Sequence, residues 1–294
     1  VGLPGPSGRL NAMAGGEYAI LENEHLRMAF RRNDFGFGPG EVSVATESGW
    51  KTVAWLPRLA RLVCRDGDGK RWEQSVFAAD PPRASTDESA RLAFSWTASD
   101  GDGGVWRLEA GFALPAGEKS IEADYRLTCD KPRELLAFDG PMIHALDRTE
   151  AILPGLEWLV EDEVSSGTLD IAQGHPHQER YVVHPNMITI PAIGVHSENG
   201  TVGLLWDVHQ QWDGRRDRPS ALFASPDRFE NHRTHVMGLF LPGVPEFVEP
   251  NRREASKAYP LAAGQELTLG SRIFADGRAI DALAVVDEWF RLNA

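Results

Sequence analysis

Trp106-Arg107-Leu108-Glu109-Ala110-Gly111-Phe112-Ala113-Leu114 and, after the turn Pro115-Ala116-Gly117, Ile121-Glu122-Ala123-Asp124-Tyr125-Arg126-Leu127 are the stretches that decide the fold. In the first, Trp106, Leu108, Ala110, Phe112 and Leu114 recur with a period of two, and Arg107 and Glu109 lie between them. In the second, Ile121, Ala123, Tyr125 and Leu127 repeat the pattern, opposed by Glu122, Asp124 and Arg126. A strand sends successive side chains to opposite faces, so each run has one apolar and one wetted face. That alternation belongs to antiparallel sheet. Parallel strands are covered on both sides and read as unbroken apolar runs.

The same period extends outward. Leu26, Met28 and Phe30 alternate with His25, Arg27, Ala29 and Arg31, and Leu92, Phe94 and Trp96 alternate with small or polar neighbours. Turn signals separate the runs: Asp66-Gly67-Asp68-Gly69, Asp100-Gly101-Asp102-Gly103-Gly104 and Glu198-Asn199-Gly200. Asn199-Gly200 predicts a type I′ hairpin with positive φ at both residues, joining strands over 188–196 and 202–206. Residues 153–186 and 209–235 carry little periodicity and read as long loops, where binding chemistry is usually found. One helix is predicted, over 278–292, with Ile280, Leu283, Val286 and Phe290 on its apolar stripe. It follows a strand over 267–274 and the turn Asp276-Gly277.

The fold expected is therefore all-β, a large antiparallel sandwich with a C-terminal helix. Residues 1–16, rich in Gly, Pro and small side chains, read as a flexible linker or tag. Residues 17–294 read as one sandwich domain, of which 278–294 is the terminal helix. Sandwiches of this size occur as single units. A chain that stops after its first long helix reads as a domain of something larger, or as one whose helix packs back on the sheet.

Composition narrows the partners. The net charge is −13 over 294 residues, so nucleic acid and anionic membrane surfaces are repelled. The basic cluster Arg215, Arg216 and Arg218 is diluted by Asp213 and Asp217. No apolar run reaches the ~18 residues of a membrane-spanning helix. Residues 1–16 lack the basic-then-apolar order of a signal peptide. A secreted or periplasmic location fits if the precursor carries a signal, and a cytoplasmic one otherwise. The two cysteines, Cys64 and Cys129, read as buried thiols in strands, since nothing in their spacing requires a disulfide.

Three stretches resemble one family. Leu21-Glu22-Asn23-Glu24-His25-Leu26-Arg27-Met28 is similar to the first strand of galactose-mutarotase-like super-sandwich domains. Leu261-Ala262-Ala263-Gly264-Gln265-Glu266-Leu267-Thr268-Leu269 resembles their last strand. Ile190-Pro191-Ala192-Ile193-Gly194-Val195 and Val202-Gly203-Leu204-Leu205-Trp206-Asp207 look like their paired central strands. The terminal helix resembles the linker that leads into the helical toroid of glycoside hydrolases and polysaccharide lyases. The resemblance implies the super-sandwich fold, a sugar ligand and a neighbouring catalytic domain. It does not extend to the Asn-His-Pro phrase of aldose epimerases or to the Tyr/His pair of the lyases.

Four constellations could carry chemistry. Gly155-Leu156-Glu157-Trp158 with Glu161, Asp162 and Glu163 sets an indole beside carboxylates. A ring face covers the C–H face of a pyranose, while carboxylates accept from its hydroxyls. The competing reading is a core Trp beside a solvated acidic turn. Trp206-Asp207-Val208-His209-Gln210-Gln211-Trp212-Asp213 has the same composition, and at least one of its two Trp is expected to serve a ligand, the competing reading being that Trp206 is core and only Trp212 is free. His175-Pro176-His177 is followed by Glu179, Arg180 and His184, with His232 and His235 later. His175 and His177 point the same way on an extended segment, so they could hold a structural divalent metal, or simply bond locally or to hydroxyls. Their spacing matches no helical zinc motif. Glu157, Asp207, Glu230 and Glu246 are candidate glycosidase acids, but the sequence places no two across a bond. There is no Gly-x-Ser-x-Gly elbow and no P-loop. Gly36-Phe37-Gly38-Pro39-Gly40 does not lead into a helix, so no organic cofactor is implied.

Three readings follow. The first is a carbohydrate-binding or accessory module for a neutral poly- or oligosaccharide. Trp158 and Trp212 would be its stacking platforms, and Glu157, Asp207, His177, Arg180 and Gln211 its hydrogen-bonding partners. The second is an enzyme on the same fold, an epimerase, glycoside hydrolase or lyase, using His177 or His209 with Glu157 as acid and base. The third is a purely structural module bracing a catalytic toroid, marked by an exposed apolar patch around the terminal helix.

Overall fold

The computed structural model describes residues 9–165, 182–183, 185–215, 218–226, 233–243 and 258–294. In chain order its strands are β1 (Asn11–Gly15), β2 (Tyr18–Glu22), β3 (Leu26–Asn33), β4 (Gly36–Thr46), β5 (Gly49–Leu56), β6 (Ala60–Arg65) and β7 (Arg71–Val76). They continue with β8 (Arg83–Thr86), β9 (Ser89–Ser99), β10 (Val105–Pro115), β11 (Ser120–Cys129), β12 (Arg133–Ala145), β13 (Glu150–Leu153) and β14 (Glu157–Val160). The remainder are β15 (Val182–Val183), β16 (Ala192–Ser197), β17 (Gly200–Leu205), β18 (Ser220–Ala224), β19 (His235–Leu241), β20 (Tyr259–Leu261) and β21 (Glu266–Asp276), followed by helix α1 (Ala284–Asn293).

These strands form two antiparallel sheets. The larger, of 12 strands, runs β1-β2-β3-β4-β5-β12-β19-β18-β15, with β20 and β6 also paired to β12 and β7 paired to β6. The smaller, of 9 strands, runs β14-β13-β16-β17-β21-β11-β10-β9-β8. The expected sandwich and C-terminal helix are thus both present. The apolar set read from the sequence fills the space between the sheets. Phe30 of the larger sheet packs against Phe94 and Phe112 of the smaller, with ring centroids 4.7 and 4.8 Å apart. Phe112 meets Tyr125 edge-on at 6.1 Å, and Tyr125 meets Phe138 of the larger sheet at 6.0 Å. Each buried ring contributes about 1.5–3 kcal/mol by area and each aromatic contact about 0.5–1.5 kcal/mol more. Cys64 and Cys129 are free thiols in this core. Burial pushes the Cys64 thiol up to about 12.

Several local expectations need correction. Residues 11–15, read as part of a flexible linker or tag, form β1 and pair residue by residue with β2, and residues 157–160 and 220–224, read within long loops, form β14 and β18. In the β16–β17 hairpin Ser197 pairs with Gly200, so the turn residues are Glu198 and Asn199. Neither has positive φ. Gly200 alone does, at 117°, and a Cβ there would lie 2.4 Å from the Asp276 carbonyl oxygen. The terminal helix begins at Ala284, six residues later than predicted, and its buried side is not the predicted stripe. Ile280 is 87% and Phe290 55% exposed, and Leu283 is exposed as well. Ala282 and Val285 are buried instead, with Trp289 packed beside them over Ile152, Ala192, Leu205 and Phe274. The physical reason is a seat made of two paired glycines, Gly194 on β16 and Gly203 on β17. A Cβ on either would lie 2.6–2.7 Å from a Val285 methyl carbon, so only bare backbone lets the helix close there.

Candidate functional site

β17 pairs with β21 only from Leu205↔Arg272 to Thr201↔Asp276. Further back along β21, around Gly270 and Thr268, the loop after β17 supplies the missing partners. The Gly270 N–H donates to Gln210 Oε1 (2.8 Å), and Gln210 Nε2 donates to the Gly270 carbonyl (3.0 Å). The Thr268 N–H donates to the Trp212 carbonyl (2.8 Å). Gln210 Nε2 also reaches the Asp207 carbonyl (3.0 Å), and Asp207 Oδ1 accepts the His209 N–H (2.8 Å). This polar segment is therefore laid along a strand edge as a defined wall.

Between that wall, the outer faces of β11 and β21 and the end of α1 lies a cleft of about 790 Å3. The loop contributes Asp207, His209 and Gln210, the sheet contributes Glu122, Asp124 and Arg272, and the helix contributes Trp289, Leu292 and Asn293. Arg272 donates to Glu122 across the strands at 2.7 Å. Partial burial, with the Glu122 charge beside it, holds the Asp124 carboxyl above the usual carboxylate range. The cleft thus offers carboxylate acceptors, an imidazole, a guanidinium and a half-buried indole wall. That set can hydrogen-bond hydroxyls and cover an apolar ring face.

Of the residues singled out from the sequence, Asp207 and His209 line this cleft. Gln211 is exposed beside it, and its neighbour Gln210 takes the lining position. Trp212 is not a platform: its side chain is 1% exposed and packs edge-on against Tyr259 at 4.9 Å. It anchors the loop to the core, its carbonyl bonded to the Thr268 N–H of β21 while its indole packs inward.

Glu157 and Trp158 stand elsewhere, on β14 at the end of the smaller sheet. Helix α1 packs over β16, β17 and β21, and so stands between Trp158 and the cleft. Trp158 is 57% exposed. Its Nε1 donates to Glu150 Oε1 (2.7 Å), and Glu150 Oε2 accepts the Ala282 N–H (2.7 Å), so one carboxylate orients the indole and ties down the entry to the helix. His175, His177 and Arg180, with Glu179, His184, Glu230, His232 and Glu246, lie outside the described residues. His235 is a core residue, 1% exposed, with its ring 4.5 Å from Phe223. Burial, reinforced by Arg148 and His144, pushes its imidazole down to about 3. Among the described residues no three His, Cys, Asp or Glu side chains stand together to hold a metal. Among them, too, no helix is long and apolar enough to cross a membrane.

Sequence reasoning did not single out Glu122, Asp124, Arg272 or Trp289. The alternation had placed Glu122 and Asp124 on a wetted face, but nothing local told that face from any other. It also missed a row of polar groups on the larger sheet, on the face away from the inter-sheet core. There Arg27 Nε donates to Glu22 (2.7 Å) under the Trp50 ring, and Arg61 Nε donates to Asp139 (2.7 Å). The His144 ring lies 4.8 Å from that of Trp55, beside a recess of about 440 Å3 lined by Arg31, Glu41, Thr52 and Trp55. Single arginines inside apolar runs, as at 27 and 61, were the available signal.

No protein-family model matches this sequence, and no curated protein does. Solved structures similar to it include the galactose mutarotase related enzyme from Lactobacillus acidophilus, at 8% identity and a TM-score of 0.49, covering 90% of this chain and 99% of that one. The aldose epimerase homologue from C. elegans is similar at 10% identity and a TM-score of 0.43, covering 90% and 98%. The alpha-galactosidase from Lactobacillus brevis is similar at 11% and 0.49, covering 92% of this chain and 41% of that one. These are likenesses of fold, and they bear on neither the ligand nor the activity of this chain.

Proposed function

We propose that this chain is a carbohydrate-binding module that takes a neutral poly- or oligosaccharide in the cleft between β11, β21, the 206–215 loop and α1. The observation that carries the reading is the cleft itself, about 790 Å3, combining the Trp289 wall with Asp124, Asp207, His209 and Arg272. That is the size and mixture expected of a small-molecule or glycan site. Trp158, exposed and oriented by Glu150, serves as a separate stacking contact on the other side of α1.

The test is an affinity-gel and glycan-array screen of the whole chain, repeated with His209→Ala, Trp289→Ala and Trp158→Ala. Binding that falls about 10-fold or more, roughly 1.4 kcal/mol, in the cleft variants supports the reading. Shortening or epimerisation of the bound glycan moves it to an enzyme using the same cleft. Absence of binding to every glycan sinks it. The exposed Ile280, Leu283 and Phe290 favour the second reading, a structural module bracing a neighbouring domain.

A further inference from the structure

Asp124 occupies an unusual place on the outer face of the smaller sheet. Its partner on β10 is Gly111 and its partner on β21 is Gly270, so neither neighbouring strand sets a side chain beside it. Directly opposed side chains in a sheet normally stand about 4.5–5.5 Å apart at Cβ. Here both are missing, and the carboxylate lies in a trough across three strands. Elsewhere that face is crowded with engaged groups, Glu122 with Arg272 and Ser95 with Glu109. Among the described residues no protein group donates to the Asp124 oxygens, although Arg126, Arg272 and Arg91 surround it at longer range. A carboxylate offers two oxygens, each able to accept a hydroxyl.

Gly270 joins this trough to the opposite wall. A Cβ at 270 would lie 3.2 Å from Asp124 Oδ1 and 3.8 Å from Gln210 Oε1, filling the gap between them. Gln210 in turn satisfies both the N–H and the carbonyl of Gly270, as a paired strand would. Its own backbone N–H bonds to the Asp207 carbonyl (3.3 Å), and its carbonyl accepts the Arg218 N–H (2.8 Å). One side chain thus sets where Asp207 and His209 stand relative to Asp124.

We propose that Asp124 is the cleft carboxylate that receives a pair of ligand hydroxyls, and that Gln210, acting through Gly270, is the residue that positions the Asp207–His209 wall against it. The proposal rests on the carbohydrate reading above and names the contact within it. A ligand that fits must present adjacent hydroxyls on a ring narrow enough for the glycine trough.

The test is calorimetric titration with the glycan that the screen selects and with its deoxy analogues, on the whole chain and on Asp124→Asn, Gly270→Ala and Gln210→Ala. The His209 imidazole is followed by NMR in the free proteins. Asp124→Asn, isosteric with the native side chain, is expected to weaken binding about 10- to 100-fold. Removing the contacted hydroxyl from the ligand should then cost nothing further in that variant. Gln210→Ala is expected to move the His209 signals in the free protein and to lessen the penalty for the deoxy analogue, a change that general destabilisation does not produce. Gly270→Ala is expected to weaken binding while the chain stays folded. Unchanged affinity in Asp124→Asn overturns the contact, and unchanged His209 signals in Gln210→Ala overturn the positioning role. If the unmodified chain binds no glycan, the carbohydrate reading fails, and the His209 spectra still decide whether Gln210 sets the wall.

Discussion

Replacing Arg133 by Met is expected to be among the most damaging single changes outside the aromatic core. The reason lies where two sequence-similar turns meet. Asp66 Oδ1 accepts the N–H groups of Asp68 (3.0 Å) and Lys70 (2.8 Å), and Asp100 Oδ1 accepts those of Asp102 (3.2 Å) and Gly104 (2.8 Å). The Asp100 side chain is wholly buried, at 0% exposure. Arg133 forks onto it, with Nε at 2.6 Å and Nη2 at 2.9 Å, while Trp106 Nε1 donates at 3.0 Å. Burial alone would raise the Asp100 carboxyl, but these donors bring it down to about 2. Removing the cation strands a buried carboxylate, which costs about 3–5 kcal/mol. In urea denaturation the midpoint should fall by about 1 M or more with little change in slope. The double variant Asp100→Asn/Arg133→Met should lose less than Arg133→Met alone, because no uncompensated charge remains. The pH dependence has a definite sign. A carboxyl depressed in the folded state contributes stability above its ordinary range near 3.9, and that contribution is lost as pH falls towards 2. It amounts to on the order of 2–3 kcal/mol, and Arg133→Met should flatten the window. A cost below about 1 kcal/mol for Arg133→Met, or a double variant that costs more than the single, would refute this account.

Other changes separate structure from site. Gly203→Ala sets a Cβ 2.6 Å from Val285 and 2.7 Å from the Ile193 carbonyl oxygen, so α1 should lift from its seat, read as faster proteolysis after residue 278 and a changed Trp289 fluorescence. His235, held neutral by burial, makes the fold lose stability as pH drops from about 6.5 towards 3, since only the unfolded chain takes the proton there. His235→Phe should reduce that loss in acid denaturation curves, and an unchanged curve between those values would count against a neutral core imidazole. Trp212→Ala should cost about 3–5 kcal/mol as a core truncation, whereas Trp158→Ala should change the thermal midpoint by only a degree or two. Equal losses in calorimetry would contradict their different burial.

The period of two in residues 106–114 and 121–127 was enough to specify strands, faces and most of the inter-sheet core. Alternation is a property of the backbone itself, and the burial of one face follows from it. The Asp-Gly repeats were legible as turns for a similar reason, since Asx bonding and glycine act within a few residues. What failed were judgements that depended on contacts distant in sequence. Trp212 and Trp158 sit in similar local contexts, yet one is a core anchor and the other stands in solvent. Whether β21 has a strand on its second edge at Gly270, opposite β11, is decided by the short pairing of β17, which ends at Leu205↔Arg272. The helix buries Val285 rather than its richer apolar stripe because Gly194 and Gly203 provide a seat of bare backbone. By itself the sequence determined a two-faced antiparallel sandwich ending in a helix, because those features are written in short-range periodicity. Only the tertiary structure decided that Asp124, Asp207, His209, Arg272 and Trp289 share one cleft, since they are brought together by strand order and helix docking, which no local pattern encodes.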